Sequence, residues 1–160
     1  MLFKTHLAFA FLIALLIKDI ISDVFGAGSM AFVIFVFFMM IGALLPDLDN
    51  PHSVAGKRLG FFAVLFNKIF GHRGITHGIW MPALLAAAVS YFWNLYYGVA
   101  IFIGYMSHVL IDGLTKQGIN LLHPFSKLHI SGFVETGSFM ETVIFAGLLG
   151  LIVLKMVFFA

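Results

Sequence analysis

Long apolar stretches separated by short polar breaks are the dominant pattern along this chain. Five stretches are candidate membrane-crossing helices: Leu7–Phe25, Met30–Leu45, Gly78–Tyr97, Gly98–Thr115 and Gly137–Phe159. Their lengths approach the roughly 17–25 apolar residues that a helix needs to cross the hydrocarbon core. The pattern predicts an all-α fold, a polytopic membrane helix bundle of about five transmembrane helices.

The breaks between these stretches carry residues that end or start helices. Pro46 lacks a backbone donor and restricts the residue before it, so we expect it to end the second helix. The segment GAGS (26–29) is expected to close the first hairpin, and YYGVA (96–100) the hairpin between the third and fourth helices. Thr76 is a candidate N-cap for the third helix.

Two longer loops lie between the candidate helices. The first, Asp47 to His77, contains the apolar segment GFFAVLFNKIF (60–70), which is too short to span a bilayer. The lysines and arginine near it favour one interfacial helix lying in the headgroup plane. The second loop runs from Lys116 to Thr136. Together these elements predict a single integral membrane domain over residues 1–160.

Composition agrees with a membrane protein and excludes several other classes. Of the 160 residues, 62% are hydrophobic and only 10% are charged, too few to cover a soluble domain of this size. The chain has no cysteine, which excludes disulfides and thiolate metal sites. The first 25 residues resemble a signal peptide, with Lys4 followed by an apolar run. Because Lys18, Asp19 and Asp23 interrupt that run, we interpret the segment as a helix that is retained in the protein and not cleaved off.

Basic residues are distributed unequally between the two ends of the predicted helices. When the five helices are threaded alternately through a bilayer, the end that holds the N-terminus collects most of them: Lys4, Lys57, Arg58, Lys68, Arg73, Lys116 and Lys127. The other end holds Lys18 and Lys155, together with an expected aromatic belt of Tyr91, Trp93, Tyr96 and Tyr97. The positive-inside rule then predicts a multi-pass membrane protein with a cytoplasmic N-terminus.

The same threading brings histidines and aspartates to that cytoplasmic end. His108 and Asp112 are four residues apart, so they share one face of the fourth helix. Ionisable groups inside a membrane span are costly and mark functional sites. The expected metal ligands are His6, Asp47, Asp49, His72, His77, His108 and Asp112.

This ligand set predicts a centre with one or two divalent metal ions. Imidazole and carboxylate without sulfur suit zinc above all, and also manganese, iron or magnesium. Arg73 offers a planar fork to a phosphate, and Asp49 is the candidate general base. His52, His123 and His129 lie in loops and are weaker candidates, and we assign Lys18, Asp19 and Asp23 a structural role.

We interpret the chain as a metal-dependent hydrolase acting on a phosphoester, either a phospholipid or a polyprenyl phosphate, at the cytoplasmic interface. Its partners are membrane lipids, and no direct contact with nucleic acid is expected. A metal or proton transporter is one alternative, although transporter sites tend to lie near the midplane between repeats. A non-catalytic membrane scaffold that binds a cytoplasmic partner through its basic loops is the other.

At these residues the sequence resembles the YdjM family of inner-membrane-associated, predicted metal-dependent hydrolases. The resemblance is carried by TH (5–6), LLPDLDNPHS (44–53), GHRGITH (71–77) and GYMSHVLIDGLTKQGINLLHPF (104–125). It implies a membrane-bound hydrolase akin to phospholipase C-type metalloenzymes, with a LexA-type partner as a further implication. The chain has Asn50 where the family often has His, which leaves one fewer ligand, and His123 where the family often has Trp.

Overall fold

A computed structural model describes residues 1–49, 57, 60, 75–126 and 128–158 of the chain. These residues form five α-helices: α1 (Phe3–Phe25), α2 (Ser29–Leu44), α3 (Trp80–Phe92), α4 (Leu95–Asp112) and α5 (Phe139–Phe158). Two short 3₁₀ helices, Pro46–Asp49 and Ile75–His77, follow α2 and precede α3. The predicted all-α fold is confirmed for the described residues. Residues 61–70, where the interfacial helix is predicted, lie outside them.

Two of the helices are long and apolar enough to cross a membrane. They are α4, with 18 residues, and α5, with 20 residues. The apolar helices α2 and α3 have 16 and 13 residues, which correspond to about 24 Å and about 20 Å of helix. A hydrocarbon core of about 30 Å is longer than either. The prediction of about five spans is therefore supported for α4 and α5, and for the other helices it stays a prediction.

The turn between α3 and α4 lies at Trp93 and Asn94 and not, as predicted, at residues 96–100. Asn94 has an extended backbone, and its side-chain oxygen accepts a hydrogen bond from the Tyr96 backbone N–H at 2.9 Å, which caps α4. Gly98 instead lies inside α4. There α3 approaches so closely that a Cβ on Gly98 would lie 2.6 Å from the Ala86 carbonyl oxygen.

The aromatic belt predicted at this end of the bundle is only partly present. Tyr91 and Trp93 are 84% and 72% exposed, as expected of side chains at an interface. Tyr96 is buried, and its ring centroid lies 5.1 Å from that of Phe25 and 4.9 Å from that of Phe35. Tyr96 is therefore a core residue that joins α1, α2 and α4.

Helix α4 is the centre of the bundle. It contacts α1, α2 and α3, and 61% of its residues are buried, compared with 17% in an apolar 18-residue window of α5. Glycines let α2 cross it closely, because a Cβ on Gly42 would lie 2.5 Å from the Ile101 carbonyl oxygen, and one on Gly104 would collide with the Met39 carbonyl. Small residues at a crossing are typical of helix packing in membranes. The crossing fixes the end of α2 relative to the last turns of α4.

The loop after α4 folds back beneath the end of that helix. Thr115 forms a parallel β-bridge with Val134, and Ile119 forms an antiparallel bridge with Ile130. The Ile119 N–H donates to the Ile130 carbonyl at 2.8 Å, and the Ile130 N–H donates back at 2.9 Å. Ile119 packs with Tyr105 of α4, so the loop covers the end of the bundle that carries the histidines and aspartates.

Candidate metal centre

Five of the predicted ligands meet at one end of the bundle. They come from the start of α1, the 3₁₀ helix after α2, the 3₁₀ helix before α3 and the last two turns of α4: His6, Asp47, His77, His108 and Asp112. The three imidazoles are at most 1% exposed and Asp112 is 2% exposed, whereas the Asp47 side chain is 17% exposed. These residues form the His/Asp cluster.

Asp112 stands at the middle of the His/Asp cluster. Its Oδ1 lies 3.4 Å from Nε2 of His6, and its Oδ2 lies 3.8 Å from Nε2 of both His77 and His108. The Met1 ammonium nitrogen lies 2.5 Å from Oδ1 of the same carboxylate. One buried carboxylate thus faces three imidazoles and one cation.

The orientation of His108 is fixed by the end of α2. Nδ1 of His108 lies 2.7 Å from the Ala43 carbonyl oxygen. A carbonyl only accepts, so Nδ1 carries the hydrogen and Nε2 keeps a lone pair directed into the cluster. Nε2 lies 3.9 Å from Oδ1 of Asp47 and has no hydrogen-bond partner among the described residues. A backbone carbonyl that fixes the tautomer in this way is a common feature of metal-binding histidines.

His77 is placed by the 3₁₀ helix before α3. The Tyr105 hydroxyl of α4 donates to the Thr76 carbonyl at 2.5 Å, which holds this segment against the centre of the bundle. Oγ1 of Thr76 lies 3.2 Å from Nδ1 of His77. The prediction that Thr76 caps the third helix is wrong, because Ile79 is at the N-cap position and the threonine side chain contacts the histidine instead.

His6 stacks on His108 at the start of α1. The ring centroids are 3.7 Å apart and the planes differ by 4°. Nε2 of His6 lies 3.2 Å from the Met1 carbonyl oxygen, and Nδ1 has no hydrogen-bond partner among the described residues. Within the described part of the chain, two parallel buried imidazoles therefore each present a nitrogen without a hydrogen-bond partner.

The geometry of the cluster fits a metal ion. Two triads have donor atoms within 4.8 Å of one another: His6, Asp47 and His108, and His77, His108 and Asp112. A tetrahedral ion with bonds of about 2.0–2.1 Å holds neighbouring donors about 3.4 Å apart. Within these triads, the separations of 3.8 and 3.9 Å between an imidazole nitrogen and a carboxylate oxygen lie within about half an ångström of that value.

The remaining predicted site residues are not brought into the cluster by the described structure. Asp49 ends the first 3₁₀ helix, and its side chain lies outside the described residues, as do His52, His72 and Arg73. His129 is exposed, with Nδ1 2.9 Å from Oδ1 of Asn120. Lys18, Asp19 and Asp23 lie on the exposed surface of the second half of α1.

Glu141 is a buried carboxylate that the sequence reasoning missed. It lies in the first turn of α5 and is 1% exposed. Its oxygens accept hydrogen bonds from the Leu2 N–H at 2.5 Å, the Thr5 hydroxyl at 2.8 Å and the Gly137 N–H at 2.7 Å. An acidic residue inside the last apolar stretch is a signal that could have identified it.

Known proteins resemble the chain over most of its length. The family described as YdjM inner membrane protein matches residues 1–159. Uncharacterized protein YvsG of Bacillus subtilis (strain 168) is 31% identical over 110 residues, which cover 68% of this chain and 69% of that protein. Inner membrane protein YdjM of Escherichia coli (strain K12) is 36% identical over 93 residues, which cover 53% of this chain and 46% of that protein.

The match therefore spans less than half the length of the Escherichia coli protein, and the Shigella flexneri protein of the same name matches to the same extent. No solved structure matches the chain significantly. The family match extends over the whole bundle and includes every residue of the His/Asp cluster. The chain belongs to the YdjM inner membrane protein family.

Proposed function

We propose that this protein is a membrane-bound, metal-dependent hydrolase that acts on a phosphoester at the cytoplasmic membrane interface. The observation that carries the proposal is the convergence of three buried histidines and two aspartates from four separate segments. Burying such groups is unfavourable unless they are compensated, and a divalent ion compensates both carboxylates at once. Structural packing alone does not require donor atoms to face one another.

Different residues of the chain would bind the metal, bind the substrate and accept a proton. His6, Asp47, His77, His108 and Asp112 would hold one or two divalent ions, with Asp49 and His72 as further ligands. Zinc is the expected ion because the donors are imidazole and carboxylate. When bound, the ion supplies an acidified water and stabilises charge on a phosphoryl oxygen. Arg73 would bind the substrate anion, and Asp49 would accept a proton from the water if it is not itself a ligand.

The position of the cluster supports a substrate with its phosphate at headgroup depth. His108 and Asp112 lie in the last two turns of α4, which is long enough to cross a membrane. Trp80 and Phe125 stack edge to face beside the same end, 5.2 Å between centroids, and both are exposed. Exposed aromatic side chains are typical of the membrane–water interface. A phospholipid or a polyprenyl phosphate would present its phosphoester at this level.

Metal analysis of the purified protein tests the proposal. Wild-type protein in detergent should retain zinc at one or two ions per chain, and His108→Ala and Asp112→Asn should lose it. His129→Ala is the matched control, because His129 is an exposed histidine outside the cluster. Hydrolysis of phospholipids and polyprenyl phosphates should then require the metal. Zinc retained in both cluster variants would contradict the metal centre, and metal transport into vesicles without hydrolysis would contradict the enzyme.

The absence of cysteine allows a direct test of orientation. The variants Asn94→Cys and Gln117→Cys would each carry a single cysteine, one before and one after α4. A thiol reagent therefore reports separately on the two ends of the same helix. In intact cells, a membrane-impermeant maleimide should label the residue-94 variant, and the residue-117 variant should react only after the membrane is opened. The reverse pattern would place the His/Asp cluster on the outer side and contradict a cytoplasmic site.

A further inference from the structure

We propose that Glu141 is a positioning residue for the metal centre: it clamps the start of α1 so that His6 stays stacked on His108. The inference rests on the proposed metal-dependent function. Glu141 is on α5, whose surface is otherwise mostly exposed, yet its carboxylate is buried against the first turn of α1. Helix α5 also packs on α1 through Leu148 and Ile152, which share a core cluster with Ala8 and Leu12. The clamp therefore belongs to an existing helix pair.

The two carboxylate oxygens of Glu141 accept hydrogen bonds from two different segments of the chain. Oε1 accepts from the Leu2 N–H at 2.5 Å, at the N-cap of α1, and from the Thr5 hydroxyl at 2.8 Å, in its first turn. Oε2 accepts from the Gly137 N–H at 2.7 Å, within its own segment. With three donors directed at it, this carboxylate is engaged in holding backbone and hydroxyl groups. It acts on the cluster through α1 and is not itself a ligand.

The first turn of α1 lacks a cap from its own sequence. Leu2 occupies the N-cap position, and its side chain makes no capping hydrogen bond. The first N–H groups of a helix need acceptors, and a carboxylate is favoured at a helix N-terminus. Glu141 supplies that acceptor from another helix. Because Thr5 adjoins His6, fixing Thr5 against α5 sets the rotation of α1 that directs the imidazole towards α4.

A purely local role for Glu141 is the competing explanation. Its backbone N–H donates to Oγ of Ser138 at 3.3 Å, and the S-x-x-E spacing is that of a capping box. A local cap explains the contact of Oε2 with Gly137 but not the two α1 donors on Oε1. Thr5→Val removes only an α1 contact, and Ser138→Ala removes only the local cap. The two roles can therefore be separated by substitution.

The test compares Glu141→Gln, Thr5→Val, Ser138→Ala and the control Glu135→Gln, whose side chain is exposed and pairs with Lys116. In Glu141→Gln, the amide N–H₂ would face either the Gly137 N–H or the Leu2 N–H, so a donor meets a donor in both orientations. We expect zinc affinity to fall about 10- to 100-fold in Glu141→Gln, by analogy with losses of supporting contacts around metal ligands. Thr5→Val should lose less, and Ser138→Ala and Glu135→Gln should bind zinc as wild type does.

Hydrogen exchange of the metal-free protein separates this inference from the proposed function. Amides of residues 3–8 should exchange faster in Glu141→Gln and Thr5→Val, with α4 unchanged. Wild-type protein that binds no zinc would contradict the proposed function, while the exchange comparison would still test the clamp. Wild-type zinc affinity and exchange in Glu141→Gln would overturn the clamp. If Glu141→Gln does not fold, zinc affinity and hydrogen exchange are measured in Thr5→Val instead, and wild-type values of both would overturn the clamp.

Discussion

The substitution Gly42→Ala tests whether the close crossing of α2 and α4 shapes the proposed metal centre. The added Cβ would lie 2.5 Å from the Ile101 carbonyl oxygen, whereas ordinary contacts begin at 3.4 Å. The helices must therefore separate by about 0.9 Å, the difference between those distances. Ala43, the next residue, accepts the 2.7 Å hydrogen bond from His108, and a displacement of that size along the bond stretches it to about 3.6 Å.

At that length the hydrogen bond that orients His108 is lost. We expect zinc affinity to fall about 10- to 100-fold and the free energy of unfolding in detergent to fall by about 1–3 kcal/mol, the usual cost of overpacking. The assays are chelator competition for zinc and thermal unfolding of the metal-free protein. Gly147→Ala in α5 is the matched control, because a Cβ there meets no atom within 4 Å. Wild-type zinc affinity in Gly42→Ala would refute the reasoning.

Three further substitutions give distinct expected results. Tyr105→Phe removes the hydroxyl that donates to the Thr76 carbonyl. The free energy of unfolding should fall by about 0.5–1.5 kcal/mol, and zinc affinity should fall with it. Unchanged zinc affinity would show that this hydrogen bond does not position His77. Asn94→Ala removes the N-cap of α4 at the opposite end, so thermal unfolding should show a loss of about 1 kcal/mol, while zinc affinity stays at the wild-type value; a weakened site would contradict this. Lys116→Ala breaks an exposed pair with Glu135, and unfolding should change by less than about 1 kcal/mol; a larger loss would show that the pair supports the loop.

The sequence was most informative where a local rule controls the structure. Pro46 ends α2 within two residues, as its chemistry requires. The four-residue spacing of His108 and Asp112 places both side chains on one helical face. In the structure, Nε2 of His108 lies 3.8 Å from Oδ2 of Asp112. Threading the helices then predicted that these groups share one end of the bundle with Asp47, and that is where the structure places them.

Features that depend on contacts between helices were not predictable in the same way. Asn94 and Gly98 both look like helix breakers, but close packing against α3 is what requires glycine at position 98. Glu141 follows Ser138 at capping-box spacing, so the sequence explains it as a local cap. Its hydrogen bonds with Leu2 and Thr5 form only because the first turn of α1 lies beside α5. Such roles become visible when the packing is known.

The charges of the His/Asp cluster explain why a divalent ion suits this site. His108 donates through Nδ1 to a carbonyl, which is the arrangement of a neutral imidazole that offers Nε2 as a ligand. With neutral histidines, the cluster carries the charge of its two aspartates, −2, in a region where Asp112 is almost fully buried. The Met1 ammonium at Asp112 compensates one of those charges. A divalent cation compensates both charges and can coordinate several imidazole nitrogens at once, whereas an ammonium group carries only one charge.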